Sequence, residues 1–119
     1  MSWFRKETTW FKVMDKSEAE AIQINGVAPA TANSRSLCVA HTEKGFFILN
    51  DRCPHNGFSL SKGWCSDDHA VVCPLHRYRF DLSSGRAKSG IADYVATYPS
   101  EMREDGLYMC IERTRFKFL

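Results

Sequence analysis

Apolar residues along this chain come in short runs and alternations, and nowhere do they keep the period of a long helix. Thr9 to Val13 is rich in β-formers, and Ile22-Gln23-Ile24 alternates. Ser36 to His41 and Phe46 to Asn50 are apolar runs joined by Thr42-Glu43-Lys44-Gly45, a short glycine-containing connection of the kind that closes a β-hairpin. Ala70-Val71-Val72 and Tyr78 to Asp81 follow, with Ser83-Ser84-Gly85 as a turn. Tyr94, Ala96 and Tyr98 fall on one face of a strand, and Leu107, Met109 and Ile111 on one face of another. Ser17 to Glu20 has capping-box spacing with no apolar stripe behind it, so one helical turn is expected there. Strands spaced about 8–12 residues apart with turns between them predict an all-β antiparallel sandwich or barrel.

Composition narrows this picture. The chain has 119 residues, 44% of them hydrophobic and 25% charged, as expected of one globular domain spanning 1–119. The longest run of large apolar residues, Phe46 to Leu49, is far short of the ~20 residues that cross a bilayer, so no membrane span is expected. The N-terminus, Met-Ser-Trp-Phe-Arg-Lys-Glu, places charges where a signal peptide needs an apolar stretch, and a cytoplasmic location is expected. Five cysteines without regular spacing argue against a secreted disulfide framework. A net charge of +2 is too small to point to nucleic acid.

Two segments carry the chemistry. Cys53-Pro54-His55 is followed, after seventeen intervening residues, by Cys73-Pro74-Leu75-His76. Each supplies one thiolate and one imidazole from a loop stiffened by proline's fixed φ. Structural zinc favours two ligands of one kind from one loop, as in C-x2-4-C with H-x3-5-H. Here each loop offers a mixed pair. That asymmetry suits a cluster of two unlike irons, with a zinc site or a metal-free site as the alternatives. His41 and His69 lie outside the pattern and are expected to be ordinary strand or loop residues. Cys38, Cys65 and Cys110 are expected to fill core space.

The spacing C-x-H, x17, C-x2-H resembles that of the Rieske proteins. Asn56-Gly57-Phe58-Ser59-Leu60, the Gly63 turn and Phe80-Asp81-Leu82-Ser83-Ser84-Gly85 resemble the Rieske ferredoxins of ring-hydroxylating dioxygenase systems, as do Trp10 to Val13 and Phe47 to Asp51. The resemblance implies one Rieske-type [2Fe–2S] cluster, with Cys53 and Cys73 on one iron and His55 and His76 on the other. It further implies a β-sandwich carrying a small inserted cluster-binding subdomain at about 51–82. By the same resemblance the chain is a soluble one-electron carrier between a flavin-dependent reductase and a Rieske oxygenase. No catalytic residue is expected, because 119 residues leave no room for an oxygenase domain. The other reading is a non-catalytic Rieske-like small subunit or interaction module, like that of assimilatory nitrite reductase.

Departures from the resembled pattern carry their own expectations. Respiratory Rieske proteins place a disulfide-bridging pair where Phe58 and Leu75 stand here. High-potential members place a serine and a tyrosine two and four residues after the last histidine, where this chain has Tyr78 and Phe80. Phe80 cannot donate a hydrogen bond, so a potential low in the Rieske range of roughly −150 to +300 mV is expected. Arg77 takes a position usually held by glycine. With Arg79, Arg86 and Lys88 against Asp81 alone, it forms a positive stretch, read either as a solvated rim or as a docking collar. Ser89 to Asp93 lacks the proline that usually stiffens the shielding loop, and Arg113 to Leu119 is expected to extend an edge strand.

Overall fold

A computed structural model describes residues 4–88 and 93–116. In chain order its elements are β1 (Phe4–Asp15), helix α1 (Lys16–Glu20), β2 (Gly26–Ala32), β3 (Arg35–Thr42) and β4 (Gly45–Asn50), then a 3-10 turn at Leu60–Lys62. After it come β5 (Trp64–Ser66), β6 (Ala70–Val72), β7 (Arg79–Asp81), β8 (Thr97–Tyr98), β9 (Ser100–Arg103) and β10 (Gly106–Phe116). They form three antiparallel sheets, ordered β1-β10-β9, β2-β3-β4-β8 and β5-β6-β7. Among the described residues no helix is long and apolar enough to cross a membrane.

The apolar runs of β3 and β4 have a simple cause: their sheet is covered on both faces. Successive strand residues point to opposite sides. Leu37, Val39 and Ile48 pack with Val13, Leu107, Met109 and Ile111 from the β1-β10-β9 sheet. Cys38, Ala40 and Leu49 point the other way, into a second core with Leu60, Cys65, Val71, Phe80 and Leu82. Cys53 and Cys73 belong to this second core. A side chain as fully buried as Leu37, Leu49 or Leu107 contributes about 1.5–3 kcal/mol. The short β5-β6-β7 sheet is thereby seated on the body of the sandwich. Gly63, ahead of β5, permits this seating: a Cβ there would lie 1.8 Å from the Val72 carbonyl oxygen.

Several sequence expectations change. Ile22 to Ile24 is no strand; Gly26 N–H donates to Gln23 O at 2.8 Å and Asn25 is left-handed (φ 66), so the segment turns out of α1. Residues 26–32, interrupted by Pro29, instead form β2. That strand lies at a sheet edge, where proline is tolerated. A two-residue turn, Asn33-Ser34, with both residues left-handed, joins it to β3. The capping pair of α1 is Asp15 with Glu18, whose Oε1 accepts the Asp15 N–H at 3.2 Å.

Tyr94 to Tyr98 is not one continuous strand. Val95 N–H donates to Gly85 O at 2.8 Å while Ala96 O accepts Asn50 N–H at 2.9 Å, so the backbone changes partner mid-way and only Thr97–Tyr98 pairs with β4. Leu107, Met109 and Ile111 do share a buried face. The tail extends the last sheet to Phe116, paired with Phe4 of β1, and 117–119 lie outside the described residues. Beyond Met109 the strand is flanked by β1 and no longer by β9.

Candidate metal centre

The two cysteine–histidine segments fold into matching loops. The first leaves β4 and the second joins β6 to β7. In each, the cysteine N–H donates to the carbonyl five residues on: Cys53 to Phe58 O and Cys73 to Tyr78 O, both at 2.8 Å. In each, proline follows the cysteine, and the fourth residue after it is left-handed: Gly57 (φ 77) and Arg77 (φ 57). The loops differ in where histidine falls. His55 comes two residues after its cysteine, whereas His76 comes three after and is itself left-handed (φ 67).

This closure turns the cysteines inward and the histidines outward. Cys53 and Cys73 are buried and close enough for Cys53 to act on the Cys73 thiol. Burial raises the Cys73 pKa and the Cys53 neighbour adds to it, while a hydrogen bond from the Leu75 backbone and one from the Asn56 side chain oppose the rise. His55 and His76 are exposed and both near the half-buried Tyr78 ring, with centroids 4.3 and 6.3 Å from it. His55 Nδ1 lies 3.7 Å from the Asp93 carboxylate. Among the described residues no three His, Cys, Asp or Glu side chains close on a single point. Two buried thiols and two surface imidazoles nonetheless fit a two-iron group that takes two donors at each iron.

The remaining cysteines and histidines are accounted for elsewhere. Cys38, Cys65 and Cys110 are buried and unbridged, and burial pushes the Cys65 thiol up to about 11. His41 Nδ1 meets Ile22 O at 2.6 Å with its ring stacked on Phe46. His69 Nε2 meets the Ser83 hydroxyl at 2.8 Å and its ring meets Phe47 edge-on. Phe58 and Leu75 stand in the two loops, so neither position offers a thiol for a bridge.

The positive stretch is smaller in space than along the chain. Arg79 pairs with Asp68, and Lys88 lies 4.0 Å from Asp68 and 3.7 Å from Asp81. Asp68 is held below the ordinary carboxylate range, first by the Ser66 hydroxyl and then by Arg79 and Lys88. Among the described residues Arg77 and Arg86 form no ion pair, and of the two Arg77 adjoins His76. Of Ser89 to Asp93, the segment without the shielding-loop proline, residues 89–92 lie outside the described residues.

Sequence reading missed Asn56. Its Asn-Gly step marks a turn, but no local pattern reveals that its carboxamide reaches Cys73 and Leu75, seventeen and nineteen residues away.

Residues 9–99 match the Rieske [2Fe-2S] domain family. The chain belongs to that family. A Rieske domain carries a two-iron, two-sulfur cluster, and its chemistry is electron transfer. The chain is 33% identical over 98 residues to the 3-phenylpropionate/cinnamic acid dioxygenase ferredoxin subunit of Escherichia coli K12, covering 82% of this chain and 86% of that one. The Rieske fold here also superposes on the ferredoxin of carbazole 1,9a-dioxygenase from Nocardioides aromaticivorans IC177 with a TM-score of 0.73, at 16% identity over 85% of this chain and 96% of that one. A small subunit assigned to an NADPH nitrite reductase superposes with a TM-score of 0.72, at 16% identity over 85% and 97%. The fold alone therefore does not separate the two roles. Sequence does, and it places this Rieske domain with ferredoxins that transfer electrons and are not themselves catalytic.

Proposed function

We propose that Cys53 and Cys73 hold one iron of the cluster and His55 and His76 the other, and that the chain ferries single electrons from a flavin-dependent reductase to a Rieske oxygenase. The observation that carries this reading is the pairing of the two loops. The same backbone closure directs one thiol from each loop into the core and leaves one imidazole from each at the surface. The cluster, when bound, takes up and releases one electron and leaves no coordination position open for substrate.

The protein supplies the rest. Cys38, Leu49, Val71, Phe80 and Leu82 share one buried apolar core with the cysteines, which keeps water from the sulfur side. The exposed His55 and His76 rings mark where a partner must approach. The oxygenase partner is proposed from the kinship with dioxygenase ferredoxin subunits, and the flavin reductase from what such an electron chain requires upstream. Residues 51–82, which include the β5-β6-β7 sheet, serve as the cluster-binding subdomain of a single 1–119 domain acting in the cytoplasm. Phe80, fully buried, presents no hydroxyl to the sulfurs, and the Tyr78 ring packs against His55. A midpoint potential below zero, nearer −150 than +300 mV, is expected.

Metal analysis tests the reading directly. The purified protein should contain about two irons and two acid-labile sulfides per chain and be red-brown. Stoichiometric zinc without sulfide would overturn it.

A further inference from the structure

The Asn56 side chain spans the two loops. Its Oδ1 accepts the Phe58 N–H at 2.8 Å. A backbone N–H can only donate, so this contact settles which end of the carboxamide is oxygen. Nδ2 therefore faces the second loop, 3.4 Å from Leu75 O and 3.8 Å from Cys73 Sγ. Oδ1 also lies 3.9 Å from that sulfur, where a protonated thiol can donate to it. A metal-holding thiolate has no proton to give. Once Cys73 is a ligand, the Nδ2–H···S contact is the one that remains.

We propose that Asn56 is a positioning residue that braces the 53–58 loop through the Phe58 N–H and donates a hydrogen bond across to Cys73 Sγ, favouring the reduced cluster. This rests on the ligand assignment given above. Reduction adds one negative charge to the cluster, and a donor aimed at a ligand sulfur stabilises that charge more than it stabilises the oxidised state. Asn56 is partly buried, so water competes only weakly for the same sulfur. The Leu75 backbone also bonds this sulfur and would survive any change at position 56. Asn56 thus trims a potential whose range is set by the cluster type, and at the same time braces its own loop.

The two roles come apart under substitution in the cluster-loaded protein. Asn56→Ser keeps an oxygen able to accept from Phe58 N–H but lacks Nδ2; Asn56→Ala lacks both. Redox titration should show the reduction equilibrium of N56S falling about tenfold, which is 59 mV for one electron. Hydrogen exchange of the 53–58 segment should stay near the parent's rate. N56A should fall at least as far in potential and also exchange faster. The near-isosteric N56D keeps the Phe58 acceptor, guards against cluster loss in the smaller variants, and should lie lowest because it adds a negative charge. An N56S potential equal to the parent's with the spectrum intact, or an N56D potential at or above it, overturns the proposal. Failure of the ligand assignment would look different, since the parent itself would then lack iron and sulfide.

Discussion

The 53–58 and 73–78 loops close with the same hydrogen bond and the same proline, yet fill their left-handed position differently. Glycine stands at 57, where φ is 77 and positive φ is free of strain. Arginine stands at 77, where φ is 57 and a side chain costs about 1–2 kcal/mol; His76 beside it is left-handed as well. The left-handed residue before the closing bond is thus common to both loops, and the second loop adds another at His76 that the first lacks. Strain of this kind concentrates at functional sites. Here it presents an imidazole and, next to it, a guanidinium with no ion pair among the described residues.

The largest expected effect compares the histidines of the loops with those outside them. His55→Ala and His76→Ala should each abolish the Rieske absorption and EPR signals, while His41→Ala and His69→Ala should retain them. A spectrum unchanged by His76→Ala would break the pairing of the loops. Next comes Gly57→Ala, where a new Cβ meets no atom within 4 Å, so that only backbone strain is added. Chemical denaturation should show a loss of about 1 kcal/mol.

The opposite change, Arg77→Gly, relieves strain at some entropic cost and should raise stability by about 0.5–1 kcal/mol. It should also slow reduction by the partner reductase at low salt. That difference should vanish as salt rises, because exposed charges are screened within about 8–10 Å. Equal rates for parent and variant at low salt would reduce Arg77 to a solvated rim.

The smallest effect concerns Asp68, which pairs with Arg79 on the strand leaving the second loop. Its pKa is depressed in the folded state, chiefly by Ser66. Its contribution is therefore present above the ordinary carboxylate value of about 3.9 and is lost as pH falls through the lower folded value. Asp68→Asn should lower stability slightly at neutral pH, and its difference from the parent should disappear as pH falls below about 4, where Asp68 is protonated.

Much of this molecule is legible from local pattern. The hairpin of residues 35–50 follows from apolar runs around a glycine turn, and the proposed metal centre rests on two cysteine–histidine pairs at a family spacing. Period-2 reasoning failed where hydrogen-bond partners change within a few residues. Residues 22–24 alternate but are consumed by a turn, and residues 94–96 divide their backbone bonds between Gly85 and Asn50. No alternation marks β2, and its Pro29 is accommodated because the strand lies at a sheet edge.

By itself the sequence supplied the four proposed donors, the mixed order of thiol and imidazole in each loop, and the short-strand architecture. These are carried by residue identity and spacing within a few positions, and each acts over one turn or one strand. Only the tertiary structure decided that Cys53 and Cys73 share a core, that Arg79 is engaged by Asp68, and that Asn56 in one loop reaches Cys73 in the other. Each of these depends on chain segments eleven to twenty residues apart meeting at one place. That meeting is set by the packing of the β5-β6-β7 sheet onto Cys38 and Leu49, and no pattern along the chain records it.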